Sequence, residues 1–186
     1  MEEFIYKIRN LFSIACFSEN KNNILMWSHY AQNHEGFCLE YDFNKIFTYS
    51  GNKDINKVGL SLLPVYYDDS IVNYTYDDLT NKLYQDNIFK TKNPLENKPY
   101  ISSYVYKIAE AWKYEGEWRL IKKIEITDSH KREPISIIEP KAIYIGAKAN
   151  EENSKKIIEI AKAKNIEVFK MKLKRNNYGL EAVQLL

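Results

Sequence analysis

An α+β domain is the fold class the sequence predicts, with a mixed, mostly antiparallel sheet, packed helices and a C-terminal strand-helix-strand unit. Three observations carry it. Short β-branched and aromatic runs, LFSIACFS at 11–18 and GFCLEYD at 36–42, have the length and composition of strands. Between them Ile24, Trp27, Ser28 and Ala31 recur at helical spacing. The last third alternates strand, helix and strand, with recognisable caps. At 186 residues, 45% apolar and 28% charged, the chain has material for a packed core and a composition unlike that of a disordered protein. Residues 1–186 are therefore expected to form one domain.

The elements follow in order. The strand at 11–18 ends in the polar run Glu19-Asn20-Lys21-Asn22-Asn23, and Asn23 is placed to cap the next helix. Met26 and Tyr30 lie one turn apart on a face beside that of Trp27. Gly36 is expected to stop this helix and open a strand in which Phe37, Leu39 and Tyr41 alternate with Cys38, Glu40 and Asp42. Residues 60–67 read as a strand whose Pro64 points to an edge or a bulge. A helix around 77–89 and a loop punctuated by Pro94 and Pro99 make 69–99 the expected insertion or lid. Val105, Ile108, Ala109 and Trp112 predict a helix over 102–114 ending near Gly116, with a strand after it. Then come a strand at 142–147, a helix capped by Asn150 with Glu151 and Glu152 in its first turn, and a strand at 166–173. A turn at Asn176-Asn177-Tyr178-Gly179 returns 180–186 as an antiparallel partner.

Bulk properties narrow the function classes. The net charge is +2, and the ten Lys and Arg against five acidic residues from Lys141 onward read as a solvated helix and edge strand, so nucleic acid is not the expected partner. No apolar stretch approaches the roughly 20 residues that cross a bilayer. Met1 is followed by Glu2 and Glu3 instead of a basic region and an apolar run, so the expected location is the cytoplasm, with no membrane partner. Cys16 and Cys38 lie in strand-like runs without ligand spacing and are expected to be reduced, buried thiols. His29, His34 and His130 lack companions at ligand spacing, so no metal is expected. Phosphate-loop, dinucleotide-fold, zinc-protease and serine-elbow motifs are absent from the sequence.

Two segments concentrate the chemistry and hold all three tryptophans. In Met26-Trp27-Ser28-His29-Tyr30, His29 and Tyr30 are candidate catalytic groups. Trp27, with Ser18 at the preceding strand end, is a candidate ligand contact. Alternatively, Trp27 and Tyr30 are core and His29 makes one satisfied hydrogen bond. In Trp112-Lys113-Tyr114-Glu115-Gly116-Glu117-Trp118-Arg119, strand alternation would put Glu115, Glu117 and Arg119 on one face. Glu115 and Glu117 are then candidate catalytic carboxylates, able to orient a ribose hydroxyl or stabilise an oxocarbenium cation, and Arg119 a phosphate or carboxylate partner. The alternative is a surface ion-pair ladder. Two weaker features remain. His34, beside Glu35 and Gly36, reads as a polar helix terminus or a site residue, and Gly146 before Asn150 as an ordinary loop or a phosphate cradle of backbone N–H groups.

CFSENKNNILMWSHYAQNHEGFCLEYD at 16–42, with the later AWKYEGEWRLI, resembles the bacterial family known as domain of unknown function 2971 (DUF2971). The usual opening strand of that family, of the LYKYR or LYHYT kind with an Asn-Asp-Pro-Phe turn, has no counterpart before Leu11. The layout is also distantly similar to ADP-ribosyltransferase-like folds. That similarity implies NAD as a substrate, Tyr30 supporting the nicotinamide and Glu117 or Glu115 contacting the ribose, in a transferase-like domain of phage defence or toxin systems. The competing expectation is a non-catalytic module that binds a nucleotide, another small molecule or a protein, with the same residues structural.

Overall fold

A computed structural model describes residues 12–43, 61–70, 107–123 and 139–186. Their contacts divide the chain into two compact units, Met1–Glu19 with Ser50–Glu133 and Asn20–Tyr49 with Pro134–Leu186. Helices and mixed, mostly antiparallel sheets make the class α+β.

The first unit is built on a three-stranded antiparallel sheet in the order β1-β6-β3, from β1 (Phe12–Ser18), β3 (Ser61–Pro64) and β6 (Glu117–Lys123). One transverse row of this sheet is Cys16, Arg119 and Leu63, and Ser18 pairs with Glu117 in the neighbouring row. Pro64 sits at the end of a strand that is an edge among the described residues, a place where proline is tolerated. Val65 separates β3 from β4 (Tyr66–Tyr67), which pairs in parallel with β5 (Lys107–Ile108).

Where a helix was expected to end near Gly116, the described residues form β5 and then a 3₁₀ helix, Glu110–Glu115. Its last residue is followed by Gly116 at φ 51°, a left-handed position that glycine fills without a Cβ penalty. The strand begins only after that bend, so Glu115 does not share a strand face with Glu117 and Arg119. The expected helix at 77–89 and most of the expected insertion at 69–99 lie outside the described residues.

The second unit is a four-stranded sheet in the order β2-β7-β8-β9, from β2 (Phe37–Glu40), β7 (Ala142–Ile145), β8 (Glu167–Leu173) and β9 (Leu180–Gln184). β7 and β8 run parallel and are joined by α2 (Glu151–Lys164), while β2 and β9 pair antiparallel to their neighbours. Asn150 caps α2 through its side chain, and Asn165 closes it in the left-handed conformation.

Alternation along β7 and β8 splits the core in two. Ile143, Ile145 and Val168 pack with Ala161 of α2. Tyr144, Met171 and Leu180 pack with Trp27 and Ala31 at α1 (Ile24–Tyr30). Ile145, Met171, Leu180 and Val168 are the largest fully buried side chains, and burying such a side chain stabilises the fold by about 1.5–3 kcal/mol.

α1 starts at Asn23, whose side chain accepts from the N–H groups of Leu25 and Met26. It stops at Tyr30, earlier than Gly36, because Gln32, Asn33 and His34 adopt φ values of 47°, 52° and 73°. Three successive left-handed residues are costly for non-glycine side chains. The turn holds because its N–H groups are used: Asn33 donates to Ser28 O, His34 to Trp27 O and Gly36 to Ala31 O.

Candidate functional site

In the first unit the polar side chains gather around Glu117. Only 8% of this residue is exposed. Its carboxylate accepts from Arg119 Nε at 2.8 Å and from Arg119 Nη2 at 2.9 Å, a two-pronged pair between residues two apart on one strand face. Cys16, cross-strand from Arg119, brings its thiol near the same carboxylate. Burial opposes ionisation of Glu117, but the bonds from Arg119, the Cys16 thiol and the Arg119 charge outweigh it and hold the carboxyl below its ordinary range.

Glu117 is therefore a fixed anion at neutral pH, suited to accept a hydroxyl or face a developing cation, and unsuited to act as an acid. The backbone beneath it is pinned as well. Its N–H donates to the Tyr67 hydroxyl at 2.7 Å, and its carbonyl accepts from Val65 N at 2.8 Å.

The other candidates in this unit have different surroundings. Glu115 is buried at the end of the 3₁₀ helix, and its carbonyl accepts the Ser18 hydroxyl at 2.6 Å. Ser18 thus ties the end of β1 to the bend that starts β6. Trp118 Nε1 donates to Glu19, and exposed Trp112 lies against Tyr114 with ring centres 6.1 Å apart.

Cys16 is exposed, not buried as its apolar run suggested, and among the described residues β1 lies at the edge of its sheet. Its sulfur nonetheless packs against Glu117. Partial burial, then the proximity and charge of that carboxylate, push the thiol up to about 11, so it is a poor nucleophile.

The second unit holds Trp27, His29 and Tyr30. Trp27 is core, 3% exposed, and its Nε1 donates to Lys21 O at 2.7 Å. His29 and Tyr30 are exposed and meet edge to face at 6.3 Å. His34 is buried, stacked on Trp27 at 6.5 Å with its Nε2 3.1 Å from Ser28 Oγ. Ser28 Oγ lies 3.0 Å from Ile24 O and can donate there, so His34 Nε2–H then donates to the hydroxyl oxygen. Burial, then the charge of Lys148, lowers the His34 pKa, and the imidazole stays neutral.

Gly146 does not form a phosphate cradle. Its N–H donates to Gly36 O, Lys148 N to His34 O and Ala149 N to Gly146 O, so these three donors are already used. A Cβ at Gly146 would stand 2.2 Å from His34 O, so glycine is there for close backbone approach, facing carbonyls that repel an anion.

One polar cluster had not been anticipated. Tyr144 donates its hydroxyl to Glu40, Lys21 Nζ donates to Glu40 at 3.1 Å and to the Tyr144 oxygen at 2.9 Å, and Lys141 pairs with Glu40 at 3.3 Å. The Tyr144 hydrogen bond does most to depress the Glu40 carboxyl. Burial opposes it, but the two lysines add to the depression and hold the pKa at about 2. The Lys21 ammonium also lies 4.7 Å from the Tyr144 ring centre. This network joins β2 to β7 and fixes the loop that leads into α1. The available signal was Tyr144 itself, a phenol in the buried run AIYI, whose hydroxyl requires a partner.

Among the described residues no group of three His, Cys, Asp or Glu side chains is arranged to hold a metal, and no helix is long and apolar enough to cross a membrane. Fold and site together define an α+β protein with a buried glutamate–arginine pair on a small antiparallel sheet. Residues 26–120 match the family described as protein of unknown function (DUF2971), and the chain belongs to that family. No curated protein and no solved structure matches the chain.

Proposed function

We propose that the chain is a nucleotide-handling domain of ADP-ribosyl or glycosyl transferase type, working in the cytoplasm in phage defence or a toxin system, with NAD as its substrate. The observation that supports this reading is the fixed, ionised carboxylate of Glu117. A preorganised anion of this kind can accept a ribose hydroxyl and stabilise positive charge at the anomeric carbon as the bond to nicotinamide breaks. Arg119 keeps the carboxylate charged and oriented. His29 and Tyr30 are exposed on the second unit, and the reading does not depend on them. Isothermal titration of the whole chain with NAD tests the reading, alongside nicotinamide release by the wild type and by Glu117→Gln. Heat of binding and nicotinamide release that Glu117→Gln abolishes are the expected results, and absence of heat in the wild type overturns it.

A second reading has its own support. Arg119 occupies both oxygens of Glu117, as in a structural ion pair. A non-catalytic module that binds a nucleotide or a protein then uses the pair only for stability. In that case Glu117→Gln lowers the melting temperature and leaves ligand affinity unchanged.

A further inference from the structure

The Tyr67 hydroxyl oxygen accepts from Glu117 N–H at 2.7 Å, which fixes the phenol against the backbone of the residue whose carboxylate forms the proposed site. Among the described residues that is the one hydrogen bond Tyr67 makes, so its own O–H proton has no acceptor there. The carboxylate is close enough for its charge to act on the phenol. Of the roughly four acceptor positions of a carboxylate, two are taken by Arg119, which leaves room for a further donor. A donor held on the Glu117 N–H and an acceptor on the same residue's side chain thus both belong to this position of the first unit.

We infer that Tyr67 and Glu117 together bind a single ligand hydroxyl, whose oxygen accepts from Tyr67 while its proton is donated to Glu117. This rests on the reading of Glu117 as a ligand-contacting carboxylate. A hydroxyl oxygen that makes two such bonds holds its partners about 5 Å apart. The chemical class follows from the polarity. Ionised phosphates and carboxylates have no proton to give Glu117 and are repelled by it, and ammonium groups cannot accept from Tyr67. A sugar hydroxyl does both through one atom. Tyr67, not the exposed Tyr30, is then the phenol of this site.

The test combines protein and ligand changes. Wild type and Tyr67→Phe are titrated with NAD and with four analogues, each lacking the 2′- or the 3′-hydroxyl of one ribose. In the wild type, one analogue is expected to bind about tenfold more weakly than NAD, the loss of its hydrogen bonds to the site. In Tyr67→Phe, NAD itself weakens and that difference shrinks severalfold. Loss of the acceptor for Glu117 N–H lowers the melting temperature of Tyr67→Phe, but a purely structural role would leave the ratio between analogue and NAD unchanged.

An unchanged ratio in a variant that still binds overturns the inference while leaving the nucleotide reading intact. No binding by the wild type overturns both. If Tyr67→Phe does not fold, the wild type alone decides. Four analogues that all bind as tightly as NAD refute the shared hydroxyl, and one that binds about tenfold more weakly supports it.

Discussion

Glu40→Gln isolates the charge of the Glu40–Tyr144–Lys21–Lys141 network while keeping the side chain's shape and its amide oxygen as an acceptor. Folding moves this carboxyl from its ordinary 4.5 to about 2, a change worth at most about 3.4 kcal/mol. Lys21 and Lys141 are 42% and 52% exposed, so solvent screening reduces the expected loss to about 1–2 kcal/mol. The folded pKa lies below the unfolded one. The contribution is therefore fully present above about 4.5 and disappears as pH falls through about 2.

Urea unfolding followed by tryptophan fluorescence measures this in a background of Trp112→Phe and Trp118→Phe. Trp27 is then the sole tryptophan and reports on the second unit alone. At pH 7 the Glu40→Gln midpoint should fall by about 0.5–1 M urea. The gap to the wild type should shrink to less than half by pH 3. A gap that is constant, or widens, between pH 7 and pH 3 would refute the assignment of a depressed carboxyl at Glu40.

Other substitutions test other contacts. Arg119→Met strands a buried carboxylate at Glu117 and should cost about 2–4 kcal/mol in urea unfolding. Arg119→Lys restores the charge without the fork and should recover only part of that loss. Because the folded pKa of His34 is lowered, wild-type stability should decline as pH drops below about 6.5. His34→Asn, which tolerates the left-handed backbone, should flatten that slope between pH 7 and 5 in thermal melts. Gly146→Ala should lower stability by at least about 2 kcal/mol, read from the circular dichroism melt, because the added methyl meets the His34 carbonyl.

The C-terminal strand-helix-strand was legible because its signals are local. Asn150 at the cap, the acidic first turn of α2 and the turn before Leu180 each act within a few residues. Trp27 followed from helical spacing in the same way. Glu115 did not, because a strand-parity argument assumes unbroken extended backbone and Gly116 interrupts it at φ 51°. Cys16 is exposed on β1, an edge strand among the described residues, and the Glu40–Tyr144 contact joins residues 104 apart in sequence through the pairing of β2 with β7. Register and edge position are tertiary properties, and no local pattern carries them. Tyr67 escaped notice because one of two adjacent tyrosines in a short strand gives no sign of which hydroxyl meets a backbone N–H.

The edge position of β2 bears on where the protein can be cut. Among the described residues its one neighbour in the sheet is β7, which begins at Ala142, whereas the family match stops at residue 120. A fragment trimmed to residues 26–120 would carry β2 with its hydrogen-bonding edge bare. It would also lack β1, the partner of β6, and with it Cys16. Such a fragment should be recovered as aggregate from an expression host, so the span of recognisable kinship in this protein is not a span that can be produced and assayed by itself.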